Sequence, residues 1–193
     1  MPSRSDDPVA AALRQAAALI AQDIRGLAAA NPMVVIDGGS GAGKTSLAAL
    51  LARNWPLVGR VQVIALDSLY PGWDGLESGV ERAVDGILRP HGRGLLGSWR
   101  RWDWEQNTEA ESHAVDPSLG VIVEGSGILR PSTADLADVR IWVEAGEESR
   151  KARALARDGD TYRPHWERWA AQERQHLLQH HPRELATRIV TVP

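Results

Sequence analysis

VVIDGGSGAGKTSLAALLA, residues Val34 to Ala52, decides how this chain folds. A wholly apolar run ends at Asp37, and glycines then alternate with small residues up to Lys44 and Thr45. Helix formers follow without a break. Met33 to Ile36 therefore reads as a buried parallel strand, and Gly43 to Arg53 as a helix closed by Asn54-Trp55-Pro56. Gly38, Gly39, Ser40, Gly41, Ala42, Gly43, Lys44 and Thr45 fit the pattern G-x-x-x-x-G-K-[ST]. Glycines let successive backbone N–H groups turn inward around phosphate oxygens, and the next helix points its positive end at them. Lys44 places a cation on the β/γ phosphates, Thr45 offers a hydroxyl to Mg²⁺, and Ser46 follows in the first helical turn. The segment predicts a nucleoside triphosphate site.

Composition narrows what the triphosphate serves. A length of 193 residues with 43% hydrophobic and 24% charged side chains predicts one domain over 1–193 with a sizeable core. The net charge of −3 gives no global positive field, so neither nucleic acid nor anionic membrane is expected as a partner. Cysteine is absent, which excludes disulfides, thiolate metal sites and cysteine nucleophiles. No apolar run spans a bilayer and no secretory signal is evident, so the expected location is the cytoplasm. Lysine occurs only at Lys44 and Lys151, which singles out the lysine of the glycine loop. With Phe absent, the 8 tryptophans must supply most aromatic surface at any base-binding site.

The rest of the chain alternates strands and helices. Asp7-Pro8 predicts a helix start, and helical spacing runs to Asn31-Pro32, giving an N-terminal helix within 1–31 before the phosphate-loop unit 33–53. Further strands are expected at Val61–Leu66, Val121–Val123, Val139–Ala145 and Arg188–Val192. Helices are expected at Glu77–Leu88, Glu147–Arg157 and His165–Gln179, with a short helix or turn at Ala134–Asp138. Arg89–Ser98 reads as a Gly/Pro-rich loop or hairpin, and Asp158–Pro164 as a loop. The sum is an α/β protein: a three-layer P-loop NTPase fold with a parallel sheet flanked by helices and a short Arg-rich lid at 150–166.

Ligands of open parallel sheets sit beyond the carboxyl ends of the strands. Asp37, Asp67 and Glu124 all fall there. Asp67 is placed to accept a proton from an incoming hydroxyl. Glu124 is placed to hold Mg²⁺ directly or through water. Asp37 either fixes the loop's turn or acts in the chemistry. Arg150, Arg153 and Arg157 share a helix face and suit bidentate phosphate contacts, or else form a solvated face paired with Glu147 and Glu148. In SWRRWDWEQ, Ser98 to Gln106, either the tryptophans stack on a ring or they pack on the core. Alternation would set Arg101 and Asp103 opposite Trp102 and Trp104. Trp73 carries the same two readings. The six histidines show no metal-ligand spacing and read as surface residues.

GGSGAGKT, DSLY, VIVEGSGIL and an Arg-rich helix ending in RD together resemble the uridine kinase-like branch of the P-loop kinases. That branch includes uridine kinases, phosphoribulokinases and pantothenate kinases, and the resemblance runs from Met33 to Val192. It implies that Gly38 to Thr45 bind the phosphates of ATP and Mg²⁺. It implies that Asp67 activates the acceptor hydroxyl, that Tyr70 sits near the acceptor and that Glu124 is the Mg²⁺-associated acid. Arg153, Arg157 and Arg163 fall where lid arginines close over the phosphates, and RELATRIVTVP where backbone flanks adenine. Arg101, Trp102 and Asp103 fall in a segment similar to the one that shapes the acceptor pocket. After Tyr70, PGWDGLESG departs from the acceptor sequence of uridine kinases.

The expected activity is transfer of the γ-phosphoryl group of ATP to a hydroxyl of a nucleoside or similar metabolite, by a monomer or a homodimer. The alternatives are a regulatory ATP-binding protein, an ATPase without a small-molecule acceptor, or a binding module without turnover. The chain has neither the N-K-x-D string expected of GTPases nor the LSGGQ-like signature expected of ABC ATPases.

Overall fold

Five strands form a parallel sheet: β1 (Met33–Asp37), β2 (Val61–Ala65), β5 (Gly120–Glu124), β6 (Val139–Ala145) and β7 (Arg188–Val192), in the order β2-β5-β1-β6-β7. A computed structural model describes residues 7–193, so the part of the expected N-terminal helix on residues 1–6 lies outside the described residues. Strands β1 and β5 are buried at every position, as their unbroken apolar runs require. Ala65 of β2 pairs with Glu124 of β5, and Ile36 of β1 pairs with Glu124 from the other side. This register brings the chain that follows β2, β5 and β1 to one edge of the sheet.

The alternation of side chains along the strands builds two cores. Val34 and Ile36 face α1 (Pro8–Arg25) and α2 (Lys44–Arg53), meeting Leu13, Ile20, Ile24, Leu47 and Leu51. Met33 and Val35 face the other side, against α3 (Leu76–Ala83) and α5 (Trp166–His180). The three layers follow from those two apolar faces.

Asp7 caps α1 by accepting from Val9 N at 2.9 Å, with Pro8 at the first helical position. The helix stops at Arg25, short of the expected Asn31, because Gly26 caps it with its N–H on Gln22 O and Asp23 O. The expected helix Glu77–Leu88 is α3 followed by a π-helical stretch, Val84–Leu88, and one turn at Arg89–Gly92. The π-helical stretch holds Gly86, where a Cβ would come within 2.4 Å of Ser98 O. The expected loop at Arg89–Ser98 is thus helical at its start, and its end enters a hairpin.

That hairpin, β3 (Gly97–Asp103) and β4 (Thr108–Val115), is antiparallel, with a bulge between Arg100 and Trp102. Asn107 turns it at φ 51°, and Asp103 Oδ1 accepts from Glu105 N and Gln106 N. α4 (Glu147–Tyr162) continues past Arg157 into the expected loop, with a non-helical break at Gly159 (φ 55°, ψ −134°). No helix among the described residues is long and apolar enough to cross a membrane.

Candidate active site

The phosphate loop wraps the start of α2. Gly38 has φ +153° and Gly41 φ +77°, and a Cβ on Gly41 would lie 2.0 Å from Arg150 O. Gly43, at φ 108°, caps α2, and Ser46 is exposed on its first turn. Lys44 Nζ donates to Gly38 O at 2.8 Å and Gly39 O at 3.2 Å, which holds the ammonium over the loop. Thr45 Oγ1 donates to Glu124 Oε1 at 2.9 Å. Glu124 is buried; desolvation pushes its carboxyl above the ordinary range, and Lys44 opposes that.

Asp37 is structural. One oxygen accepts from Gly38 N (2.6 Å) and Gly127 N (2.9 Å). The other accepts from Leu129 N (2.8 Å) and faces His176 Nε2 at 2.9 Å. It ties the phosphate loop to the segment after β5. His176 and His91, read as surface residues, are buried; His91 Nε2 lies 2.8 Å from Leu119 O.

A cavity of about 590 Å³ opens beyond the strand ends. Lys44, Thr45, Asp67 and Glu124 line it together with Trp73, Trp102 and Trp104. The exposed Asp67 carboxylate makes no hydrogen bond or ion pair among the described residues, while Asp67 O accepts from Trp104 Nε1 at 2.7 Å. Tyr70 forms part of the wall, fully buried, with its hydroxyl donating to Ser126 O at 2.7 Å and its ring edge-on to Trp169. Burial pushes its phenol well up.

The expected alternation in the tryptophan segment fails at the bulge. Arg101 and Trp102 are neighbours in sequence, yet both line the cavity, because the extra residue re-aims the side chains. Arg101 is held by Glu111 (2.7 and 3.1 Å) and Asp103 (3.4 Å), and it lowers the Glu111 carboxyl to about 2. Asp103 serves the hairpin turn and Arg101 rather than the cavity. Trp99 stacks on His113, away from the cavity.

The arginines of the expected lid divide. Arg157 lines the cavity, in a two-bond pair with Asp158 (2.8 and 2.7 Å). Arg153 lies outside it, donating to Gly41 O (2.8 Å) and Pro193 O (2.7 Å). Arg150 donates to Ser40 O at 3.0 Å. Arg163 is exposed, 3.5 Å from Asp160, and does not reach the cavity.

No family model matches the chain. Uridine kinase from Streptococcus mutans is 29% identical over 144 residues, 66% of this chain and 68% of that protein. Uridine kinase from Lactobacillus helveticus is 27% identical over the same shares. A solved structure described as a possible uridine kinase from Bacillus stearothermophilus superposes with a TM-score of 0.69 at 18% identity, covering 92% of this chain and 98% of that one.

The chain has a uridine kinase-like P-loop fold.

A second solved structure, a putative fructose transport system kinase from a Silicibacter species, covers 92% of this chain and 98% of its own, with a TM-score of 0.51 at 19% identity. Within the uridine kinase-like fold, the sequence motifs left several contributors unnamed: Ser126, Tyr162 and Glu173. Glu173 had a readable signal. It sits in the apolar stripe Trp166, Trp169, Ala170 of α5, where a carboxylate demands buried partners.

Proposed function

We propose that the protein is an ATP-dependent kinase that phosphorylates a hydroxyl of a nucleoside or similar small metabolite. The observation that carries this reading is the carboxylate of Asp67, unpaired among the described residues, which shares one cavity with Lys44, Thr45 and Glu124. A switch or a motor has no need of an acid and tryptophans in the same cavity as the phosphate loop.

In this reading the amides of Gly41 to Thr45 and the Lys44 ammonium hold the β and γ phosphates. Thr45 Oγ1 and Glu124 would hold Mg²⁺, which neutralises charge on the phosphate oxygens when bound. The donor set fits such an ion: two hard oxygens 2.9 Å apart, one on a buried carboxylate whose charge a cation would offset.

Asp67 takes the proton of the acceptor hydroxyl as its oxygen attacks the γ-phosphorus. The bond from that phosphorus to the β,γ-bridging oxygen breaks, leaving ADP and a phosphorylated acceptor. Arg157 can exchange Asp158 for phosphate oxygens as charge moves toward the leaving group. Trp102 and Trp104 offer flat faces to the acceptor.

The test is ADP formation from Mg²⁺-ATP with a panel of nucleosides, sugars and other hydroxylated metabolites. Acceptor-dependent ADP supports a kinase. Equal ADP with every addition, or none, refutes it.

A further inference from the structure

Behind the phosphate loop, and outside the cavity, Glu173 stands buried on α5. A single oxygen, Oε1, accepts four hydrogen bonds: from Ser40 N (2.7 Å), Ser40 Oγ (2.9 Å), Ser126 Oγ (2.8 Å) and Trp169 Nε1 (3.0 Å). Arg150 lies 3.6 Å from the second oxygen. A carboxylate suits this set, since it gives the four donors a charged acceptor and leaves its second oxygen facing Arg150, where an amide would turn its NH₂.

The contacts extend at both ends. Ser126 Oγ accepts from Lys44 Nζ at 3.3 Å, and Ser40 Oγ accepts from Tyr162 OH at 2.9 Å. Tyr162 lies just past the Gly159 break in α4. Beyond Ser40 it also stacks on Trp73 at 5.4 Å, and His165 stacks on the same indole at 4.3 Å. A continuous polar chain thus runs from the loop lysine through Ser126, Glu173 and Ser40 to the segment after the break.

We propose that Glu173 is a positioning residue that locks the phosphate loop and the Tyr162 segment into one unit. It fixes the Ser40 peptide and hydroxyl, and that hydroxyl in turn seats Tyr162. The donors of the loop are then aimed before the triphosphate arrives, and binding does not have to order them. The inference rests on reading the loop as a triphosphate site and needs no acceptor.

The experiment is calorimetric titration of Mg²⁺-ATP into the full chain, at a temperature where circular dichroism shows each variant folded. Glu173→Ala should weaken ATP binding about tenfold or more, the effect of losing the charge-assisted hydrogen bonds that hold Ser40. Tyr162→Phe should weaken it less. The double variant should bind no worse than Glu173→Ala alone, because Tyr162 acts through a Ser40 that residue 173 no longer fixes. A merely structural Glu173 would lower the melting temperature and leave these affinities in place. ATP binding by Glu173→Ala within twofold of the native chain overturns the inference, and so do effects that multiply in the double variant. If Glu173→Ala does not fold, the same non-additivity is expected between Ser40→Ala and Tyr162→Phe, and its absence is equally fatal. No ATP binding by the native chain would instead refute the triphosphate reading, and this inference with it.

Discussion

Replacing Asp37 by Asn changes one buried atom and should cost the protein much of its margin. Asp37 Oδ1 serves Gly38 N and Gly127 N, and Oδ2 serves Leu129 N and His176. An asparagine oxygen can keep the first pair. Its NH₂ then faces the Leu129 N–H, donor against donor, and only His176 can adapt by presenting a lone pair. The opposite rotamer is worse, because the NH₂ would face two N–H groups. One charge-assisted bond is lost and one buried N–H is left unpaired, for about 2–4 kcal/mol in all. At about 2–4 °C per kcal/mol for a chain of this size, the melting temperature should fall by roughly 5–15 °C. Thermal unfolding followed by circular dichroism reads this directly. A fall under about 2 °C would refute the argument that this carboxylate ties the phosphate loop to the segment after β5.

Two further substitutions separate the parts of the site. Glu124→Gln removes a buried charge, so the melting temperature of the nucleotide-free protein should hold or rise by about 1–3 °C while stimulation by Mg²⁺ is lost. The sign with pH follows from burial. Because Glu124 is held above the ordinary carboxylate range, its contribution to stability is complete below that range and is lost as pH rises through the folded value. Glu124→Gln should flatten that decline in melting temperature. Trp104→Phe keeps a ring beside Trp73, 4.9 Å away in the native chain, but drops the bond to Asp67 O. It should lower kcat about three- to tenfold with the KM for ATP unchanged, the loss of one hydrogen bond beside the base; a raised KM for ATP alone would contradict that placement.

The parts legible in the sequence are those whose physics is local. Met33–Asp37 and Gly120–Glu124 are wholly apolar up to an acid, and the acids at strand ends come together because the register aligns those ends. The glycine loop could be read because its backbone demands are written as residue types. What stayed hidden depends on distant partners. β4 is exposed at most positions, so TEAESHAV carries no hydrophobic alternation to read. Asp158–Pro164 reads as a loop by composition, yet helical structure runs on to Tyr162 with a single break at Gly159. Arg101 and Trp102 reach one cavity through a bulge that no pattern announces. Glu173 and His176 lie on the apolar face of α5, and their partners are the phosphate loop and Asp37, more than a hundred residues earlier.

The central claim is that Asp67 makes this cavity a place where phosphate is handed to a hydroxyl. The measurement is the fate of γ-labelled ATP, followed as labelled acceptor and labelled inorganic phosphate, in the native chain and in Asp67→Asn. The native chain should put label on at least one hydroxylated metabolite. Asp67→Asn should lower that transfer by about 10²–10⁴-fold while ATP affinity stays nearly intact. Label that passes only to water in the native chain, or transfer that survives in Asp67→Asn, would contradict the account.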